Sequence, residues 1–278
     1  MQVFGTLGHP IAHSLSPAML GSAFAEKGIE AQFEKFDIPP EDLGEFIERV
    51  RAENIRGLSV TIPHKIEIMQ FLDEIEDAAQ KIGAVNTVFW CPSIDSGQAK
   101  LCGTNTDWIG FLETLEEKID AQGKEAVVLG GGGGAHAIVH ALLTRDCKIT
   151  IITREAWEYE DLEKHFSGQD LQFDFIKNLK KYDPQILVNT TPLGMKGKFE
   201  GQSFVEPSWF ENHKPLVFDI VYTPSETKLL TDAREAGCET VPGLGMLVRQ
   251  GAKQFEIWLG EKPNLERMWS AAEVELEK

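Results

Sequence analysis

The 278-residue sequence predicts an α/β protein with two domains. Apolar runs of strand length alternate with helical patterns along nearly the whole chain, which is typical of α/β architecture. The pattern changes near Asp107, after which a predicted helix leads to a fully apolar strand and a run of five glycines. At about 150 residues per domain, the length also favours two domains.

The first part of the chain alternates strands and helices up to about residue 103. Pro17 suits the first turn of a helix, and Ser16 before it is a candidate N-cap. Prolines such as Pro40 and Pro63 separate or end the neighbouring elements. The predicted strands are Val3–Leu7, Gln32–Asp37, Gly57–Ile62, Gly83–Trp90 and Lys100–Gly103, and the predicted helices are Pro17–Lys27 and Glu41–Arg51.

The second part begins with a predicted helix and continues as a strand–helix–strand unit, followed by further strands and two terminal helices. These elements are Trp108–Ile119, Ala126–Leu129, Ala135–Thr144, Lys148–Thr153, Ile186–Asn189, Leu216–Asp219, Gly245–Leu259 and Pro263–Lys278. We expect one domain over residues 1–107 and a second over residues 108–246. The terminal helices, from about 247 to 278, are expected to return to the first domain.

The glycine run predicts a dinucleotide-binding loop. Gly130 to Ala135 fits G-x-G-x-x-A between an apolar strand and an apolar helix, with a second strand at the expected distance. Gly130 would make the tight turn, Gly132 would let the backbone approach a pyrophosphate, and Ala135 would allow close helix packing. A flexible linker is the alternative, but buried strands do not flank linkers. The second domain is therefore predicted to be Rossmann-like and doubly wound.

The residues after the next strand bear on the choice of nucleotide. Thr153 and Arg154 stand where NAD-binding proteins usually offer a carboxylate and NADP-binding proteins a guanidinium. Arg154 can pair with a 2′-phosphate, which favours NADP. The segment Glu155–Lys164 carries five acidic residues and one basic residue, and that charge disfavours a further dianion. The prediction is NADP, with NAD use left open.

The net charge of the chain indicates which classes of partner are not expected. The net charge is −17, which repels phosphate backbones and anionic lipid, so neither nucleic acid nor membrane is an expected partner. No stretch approaches the ~20 apolar residues of a membrane span, and the start lacks the features of a secretory signal. We expect a cytoplasmic protein with a small-molecule substrate, as a monomer or homodimer.

Cysteine and histidine spacing points to neither disulfides nor a metal. The four cysteines, Cys91, Cys102, Cys147 and Cys238, form no CxxC pair, and in a chain of this length they are expected to be reduced. His9 and His13 lie four residues apart, but Pro10 between them makes a helical metal pair a poor interpretation. No metal site is predicted.

Several polar residues follow predicted strands of the first domain. Ser14 and Ser16 could donate together to a carboxylate, although N-capping by Ser16 explains one of them equally well. Lys65, at a strand exit, would by itself be typical of a solvated surface lysine. Asp107 would by itself be typical of a helix start.

The combination of these segments is more specific than each alone. The motifs, in chain order, are Gly5–Pro17, Ser59–Lys65, Gly83–Thr87, Asn105–Asp107, the glycine loop, Val188–Met195 and Pro242–Gln250. Together they resemble the shikimate dehydrogenase family, and the resemblance extends from about residue 4 to about residue 260. The family reduces 3-dehydroshikimate to shikimate reversibly with NADPH, in the biosynthesis of aromatic amino acids.

The resemblance implies roles for particular residues. Matching positions make Ser14 and Ser16 donors to the substrate carboxylate, and Lys65 and Asp107 the catalytic pair. The implied partners of the ring hydroxyls are Thr61, Asn86, Tyr222 and Gln250. The implied nucleotide-binding residues are Gly130, Gly131, Gly132, Gly133, Gly134, Thr153, Arg154, Ile220 and Gly243.

The reduction of a ketone explains why the site needs a lysine and a carboxylate. Hydride transfer to a ketone creates a developing alkoxide, which needs a positioned cation or proton donor. Lys65 would supply both, and Asp107 would orient it across a cleft between the two domains. In the oxidative direction the lysine must first lose its proton, so we expect shikimate oxidation to become faster into the alkaline range.

Departures from the family pattern leave two alternatives open. Glu158 stands where a second basic residue is usual, and Trp108 follows Asp107 where glycine is frequent. One alternative is a quinate/shikimate dehydrogenase that uses NAD. The other is a non-catalytic sensor of a metabolite or nucleotide, whose mark would be loss of the Lys65–Asp107 pair.

Overall fold

The computed structural model describes residues 1–92 and 99–278. Over these residues the chain forms two compact units, Met1–Thr106 with Val248–Lys278, and Asp107–Leu247. Each unit is built on its own β-sheet with helices packed against it. The fold class predicted from the alternation of strands and helices is thus confirmed.

The strands are β1 (Gln2–Gly8), β2 (Ala31–Asp37), β3 (Gly57–Val60), β4 (Glu74–Ile75), β5 (Thr87–Cys91), β6 (Lys100–Thr104), β7 (Glu125–Leu129), β8 (Lys148–Thr153), β9 (Leu171–Phe175), β10 (Ile186–Asn189), β11 (Leu216–Asp219) and β12 (Thr240–Pro242). The helices are α1 (Ser16–Glu26), α2 (Leu43–Ala52), α3 (Asp77–Ile82), α4 (Asp107–Glu116), α5 (Gly133–Leu143), α6 (Glu160–His165), α7 (Trp209–Asn212), α8 (Lys228–Glu235), α9 (Leu244–Leu259) and α10 (Leu265–Leu276). Among the described residues, none of these helices combines the length and apolar character that a membrane crossing requires.

The first unit contains a mixed sheet in the order β2-β1-β3-β5-β6-β4. Strands β1, β2 and β3 are parallel, whereas β5 is antiparallel to both of its neighbours. Residues Phe4 to Gly8, which form the end of β1, are all buried. The polar loops that follow β1 and β3 therefore emerge at the same edge of this sheet.

The second unit contains a fully parallel sheet in the order β12-β11-β10-β7-β8-β9. Successive residues of its strands pack into two apolar cores, one on each face of the sheet. In β7, Val128 belongs to one core, and Val127 and Leu129 belong to the other. The strand order reverses between β7 and β10, so the loops after these strands diverge and leave a crevice at their carboxyl ends. In doubly wound sheets this is where ligands bind.

The structure corrects some predicted boundaries. Ser16 is the first residue of α1 rather than its N-cap, and no side chain caps that helix. The strand predicted from Gly83 begins only at Thr87, because Gly83 ends α3 with a left-handed backbone, φ 73°. Short elements such as β9, β12 and α8 were not predicted, because they contain too few residues to show a clear periodic pattern in the sequence.

The expectation that all four cysteines are reduced is wrong for two of them. Cys91 of β5 and Cys102 of β6 form a disulfide with their Cα atoms 6.0 Å apart. Eleven residues separate them in sequence, and only the antiparallel pairing of β5 with β6 brings them together. Cys147 and Cys238 are buried free thiols, and burial raises the pKa of Cys147 to about 11.

Candidate functional site

The ends of β1 and β3 place the predicted carboxylate donors and Thr61. Ser14 and Ser16 are buried between β1 and the first turn of α1, and the Ser14 hydroxyl oxygen accepts from the Ser16 amide at 3.3 Å. Thr61 directly follows β3, and its amide donates to the Leu7 carbonyl of β1 at 2.8 Å. The two loops are therefore joined at the edge of the sheet.

Asn86 is the centre of a buried hydrogen-bond network in the first unit. Its side-chain amide donates to the Thr106 hydroxyl at 3.0 Å and to the Gln250 side-chain oxygen at 3.2 Å. Its side-chain oxygen accepts from the Thr106 amide at 2.7 Å and the Thr87 hydroxyl at 2.7 Å. Two predicted substrate residues, Asn86 and Gln250, are thus in direct contact. The network holds them together across a sequence separation of 164 residues.

Backbone hydrogen bonds connect the neighbouring loops to the same asparagine. The Asn86 carbonyl accepts from the Val60 amide, immediately before Thr61, at 2.7 Å. It also accepts from the fully buried side chain of Gln254 at 3.0 Å. The Lys65 carbonyl accepts from the Val85 amide at 2.7 Å, so the segment that carries Lys65 is fixed beside Asn86.

Asp107 opens α4 and is 4% exposed. It directly follows Thr106, whose amide and hydroxyl both bond to the Asn86 side chain. Asp107 is the first residue of the second unit. Lys65 is half-buried on the segment after β3.

The glycine turn after β7 has the shape that a nucleotide phosphate site needs. Gly130 has φ +105°, and a Cβ there would lie 2.8 Å from the Thr190 hydroxyl. A Cβ on Gly131 would lie 1.9 Å from the carbonyl oxygen of Glu158, so this turn is closely packed on the segment after β8. Around Gly132, by contrast, no atom lies within 4 Å of a Cβ position. Helix α5 begins at Gly133, directly after Gly132, so the positive end of its dipole lies at this turn.

The loops after β10 and β11 are organised by Asp219, which sequence reasoning did not select. Its buried carboxylate accepts from the side chains of Asn189 at 2.9 Å and Thr227 at 2.7 Å, and from the Val221 amide at 3.0 Å. Burial raises the pKa of Asp219 to about 6, although these three donors favour the charged form. The signal in the sequence was an acidic residue at the end of an otherwise apolar strand.

Two predicted residues, Ile220 and Tyr222, belong to the loop after β11, and a third, Gly243, follows β12 and bonds to that loop. The Ile220 amide donates to the Asn189 carbonyl at 3.1 Å, and the Gly243 amide donates to the Val221 carbonyl at 3.3 Å. The Ile220 side chain lies against Gly134, because a Cβ on that glycine would be 3.1 Å from the isoleucine. Desolvation raises the pKa of the half-buried Tyr222 phenol to about 12, which keeps it a neutral hydroxyl donor.

The residues predicted to select the nucleotide follow β8. Thr153 is fully buried, and its hydroxyl donates to the Glu155 carbonyl at 3.0 Å. Arg154 is exposed, lies over the Phe204 ring at 5.6 Å and forms an ion pair with Glu158. A carboxylate of the same chain is therefore bonded to the guanidinium that is predicted to bind the 2′-phosphate.

The described residues contain one cluster with metal-ligating side chains, formed by Glu74, Cys91 and Cys102. The two sulfur atoms are bonded to each other, and the Glu74 carboxylate pairs with Lys100 at 2.5 Å. These contacts leave no set of ligands for a metal ion.

Comparisons with known proteins find similar chains. Two family models match the chain: the shikimate dehydrogenase substrate binding domain over residues 6–88 and the shikimate 5′-dehydrogenase C-terminal domain over residues 243–273. The shikimate dehydrogenase (NADP(+)) of Methanocaldococcus jannaschii is 39% identical over 284 residues, which cover 97% of this chain and 95% of the relative.

Solved structures match over nearly the full length as well. The shikimate 5-dehydrogenase of Thermus thermophilus, in complex with NADP(H) and shikimate, is 34% identical with a TM-score of 0.85, covering 99% of this chain and 100% of that one. The shikimate 5-dehydrogenase of Listeria monocytogenes, in complex with shikimate and NAD, is 34% identical with a TM-score of 0.81, covering 96% and 95%.

Proposed function

Because the chain belongs to the shikimate dehydrogenase family, as its motifs predicted, we propose that it reduces 3-dehydroshikimate to shikimate reversibly with NADP(H). The observation that carries this proposal is the full-length match: relatives named shikimate dehydrogenase (NADP(+)) are 39% identical over 97% of the chain. The chain retains Lys65 and Asp107, so the alternative of a non-catalytic sensor lacks its expected mark.

On the substrate side, Ser14 and Ser16 bind the carboxylate, and Thr61, Asn86, Tyr222 and Gln250 bind the ring hydroxyls. The buried network around Asn86 supports this assignment, because it holds Asn86 and Gln250 at hydrogen-bond distance before a substrate binds. Groups ordered in advance lose little entropy on binding. Tyr222 contributes a neutral hydroxyl, since its pKa is raised to about 12.

On the nucleotide side, Gly130 to Gly134 hold the pyrophosphate, and Arg154 pairs with the 2′-phosphate. Thr153, Ile220 and Gly243 lie around the rest of the molecule. The open space at Gly132, the amides that begin α5 and the reversal of strand order between β7 and β10 fit a dinucleotide. When bound, the nicotinamide supplies the hydride.

Lys65 carries the proton. As an ammonium group it donates to the ketone oxygen while negative charge develops there, and Asp107 orients it and stabilises its charged form. In shikimate oxidation the amine must be neutral to accept the hydroxyl proton, so the rate increases as the pH rises.

The decisive experiment follows the absorbance of reduced nicotinamide while shikimate or quinate is offered with NADP⁺ or NAD⁺. We expect turnover of shikimate with NADP⁺ by the wild type. Lys65→Ala should lower kcat by at least about 100-fold with little change in KM, because a proton donor contributes mainly in the transition state. Lys81→Ala is the matched control, an exposed lysine of α3 that pairs with Asp77. A Lys65→Ala variant with near-native turnover, or a flat pH profile with chemistry rate-limiting, would remove Lys65 from this role.

We also infer a cytoplasmic enzyme that needs no partner other than its small-molecule ligands. The net charge of −17 supports the exclusion of nucleic acid and anionic membranes. Size-exclusion chromatography with light scattering distinguishes the monomer from the homodimer, and fractionation of source cells tests the location.

A further inference from the structure

The carboxylate of Glu158 accepts hydrogen bonds from Arg154, the residue that directly follows β8. One carboxylate oxygen accepts from the Arg154 backbone amide at 2.8 Å, and the other accepts from the guanidinium Nε at 2.9 Å. The terminal nitrogen Nη2 donates to that second oxygen as well. The Arg154 side chain is 57% exposed, whereas that of Glu158 is only 14% exposed.

These donors form a set that suits a phosphate. A guanidinium fork together with a backbone amide recognises carboxylates and phosphates by the same geometry. In the proposed function, Arg154 is the partner of the 2′-phosphate that distinguishes NADP(H) from NAD(H). The carboxylate of Glu158 therefore lies at the position where that phosphate would be bound.

Glu158 is held in place by its own backbone. It ends a short 3-10 turn, Ala156–Glu158, and its amide donates to the Glu155 carbonyl at 3.2 Å. Its carbonyl oxygen packs against Gly131, and the next residue, Tyr159, packs on Phe173 of β9. The turn thus cannot move away from Arg154 without disturbing the glycine loop.

The carboxylate is charged at neutral pH. Burial by itself would raise the pKa of Glu158, but the hydrogen bonds from the Arg154 guanidinium and amide outweigh it and hold the pKa below its ordinary value. A 2′-phosphate bound at Arg154 would meet this negative charge at close range, and like charges side by side are costly. The ribose of NAD(H) presents hydroxyl donors instead, which a carboxylate accepts.

We propose that Glu158 is a specificity-determining residue, whose carboxylate competes with the 2′-phosphate for Arg154 and so narrows the preference for NADP(H) over NAD(H). This inference rests on the proposed function only in taking Arg154 as the 2′-phosphate partner. It predicts that the chain binds both nucleotides, with NADP(H) bound less tightly than the Arg154 site by itself would allow.

The test is isothermal titration of NADP⁺ and NAD⁺ into the wild type, Glu158→Gln, Arg154→Gln and the double variant. Glu158→Gln should lower the Kd for NADP⁺ by about tenfold or more and leave the Kd for NAD⁺ unchanged or higher. Glu160→Gln is the matched control, because it removes the same charge from an exposed residue on the following helix. Thermal unfolding confirms that each variant is folded.

The outcomes separate the explanations. A gain for NADP⁺ in Glu158→Gln that disappears in the Arg154→Gln background supports competition at Arg154. No gain, an equal gain in Glu160→Gln, or a gain that persists without Arg154 would each overturn the proposal. Shikimate turnover by the wild type is measured separately. Its absence would refute the proposed function, while the nucleotide affinities would still decide the role of Glu158.

Discussion

Asp219 should give the protein a stability that declines as the pH rises through the weakly acidic range. The carboxylate is fully buried, and its pKa is raised from 3.8 to about 6. Between these two values the folded protein binds more protons than the unfolded chain at this site. The free energy of unfolding therefore decreases with rising pH, which is the opposite of the behaviour of a carboxylate in a salt bridge.

The size of the effect follows from the shift. A difference of about 2.2 pKa units at 1.36 kcal/mol per unit corresponds to about 3 kcal/mol over the whole titration. Integrated from pH 5 to pH 8, the contribution of Asp219 is about 1.4 kcal/mol, because the unfolded group is already ionised there. An Asp219→Asn variant lacks this titration, so its stability relative to the wild type should improve by about 1.4 kcal/mol between pH 5 and pH 8.

Urea denaturation at pH 5, 6, 7 and 8 measures this difference. The result is how the difference in free energy of unfolding between variant and wild type changes with pH. Hydrogen bonds lost in the variant add a constant to this difference and do not alter its change with pH. Asp183→Asn, at an exposed site in the same unit, is the control and should run parallel to the wild type. If the Asp219→Asn curve also runs parallel to that of the wild type within about 0.3 kcal/mol, the raised pKa of the buried Asp219 carboxylate is refuted.

Three further predictions concern the two sites and the cysteines. Asn86→Ala should lower the free energy of unfolding by about 3 kcal/mol or more, because it leaves the buried Thr106 amide and the Gln250 oxygen without this partner. Urea denaturation measures this loss. A loss under about 1 kcal/mol would contradict the central role of Asn86. Gly131→Ala should destabilise the ligand-free protein by about 1–3 kcal/mol, since its Cβ would lie 1.9 Å from the Glu158 carbonyl oxygen. Gly132→Ala, with open space at its Cβ, should leave thermal unfolding nearly unchanged but weaken NADP⁺ binding; equal destabilisation by both substitutions would show that the difference in clearance has no consequence. Thiol titration of the denatured, unreduced protein should find two free thiols per chain, those of Cys147 and Cys238, whereas four would contradict the disulfide.

Local sequence patterns were reliable where one residue type determines the backbone or where the apolar run is continuous. Strands β8, β10 and β11 occur at the predicted residues, because each is a short buried strand of a parallel sheet and is rich in Ile, Leu, Val, Phe or Thr. Gly130 adopts the positive φ that its predicted turn requires. The motifs likewise indicated the family, which the full-length relatives confirm.

The site depends on groups that have no individual signature in the sequence. Thr106, Gln254 and Asp219 are common residue types, and they matter because the fold buries each of them and gives it a hydrogen bond to a distant or neighbouring segment of the site. Ser16 shows the converse, since a residue suited to N-capping lies one position inside the helix instead. Local preference is worth about 1 kcal/mol at such a position, which tertiary packing readily outweighs.

The amino-acid sequence alone determined the α/β class, the glycine turn and the family, because these follow from periodicity, from backbone freedom at single residues and from motifs in a fixed order. Tertiary structure alone decided that Asn86 contacts Gln250, that Cys91 is bonded to Cys102, and that Gly131 packs on the Glu158 carbonyl. Each of these depends on which strands pair and which loops meet. Hydrogen bonds and covalent bonds between distant residues require that proximity, and no spacing along the chain expresses it.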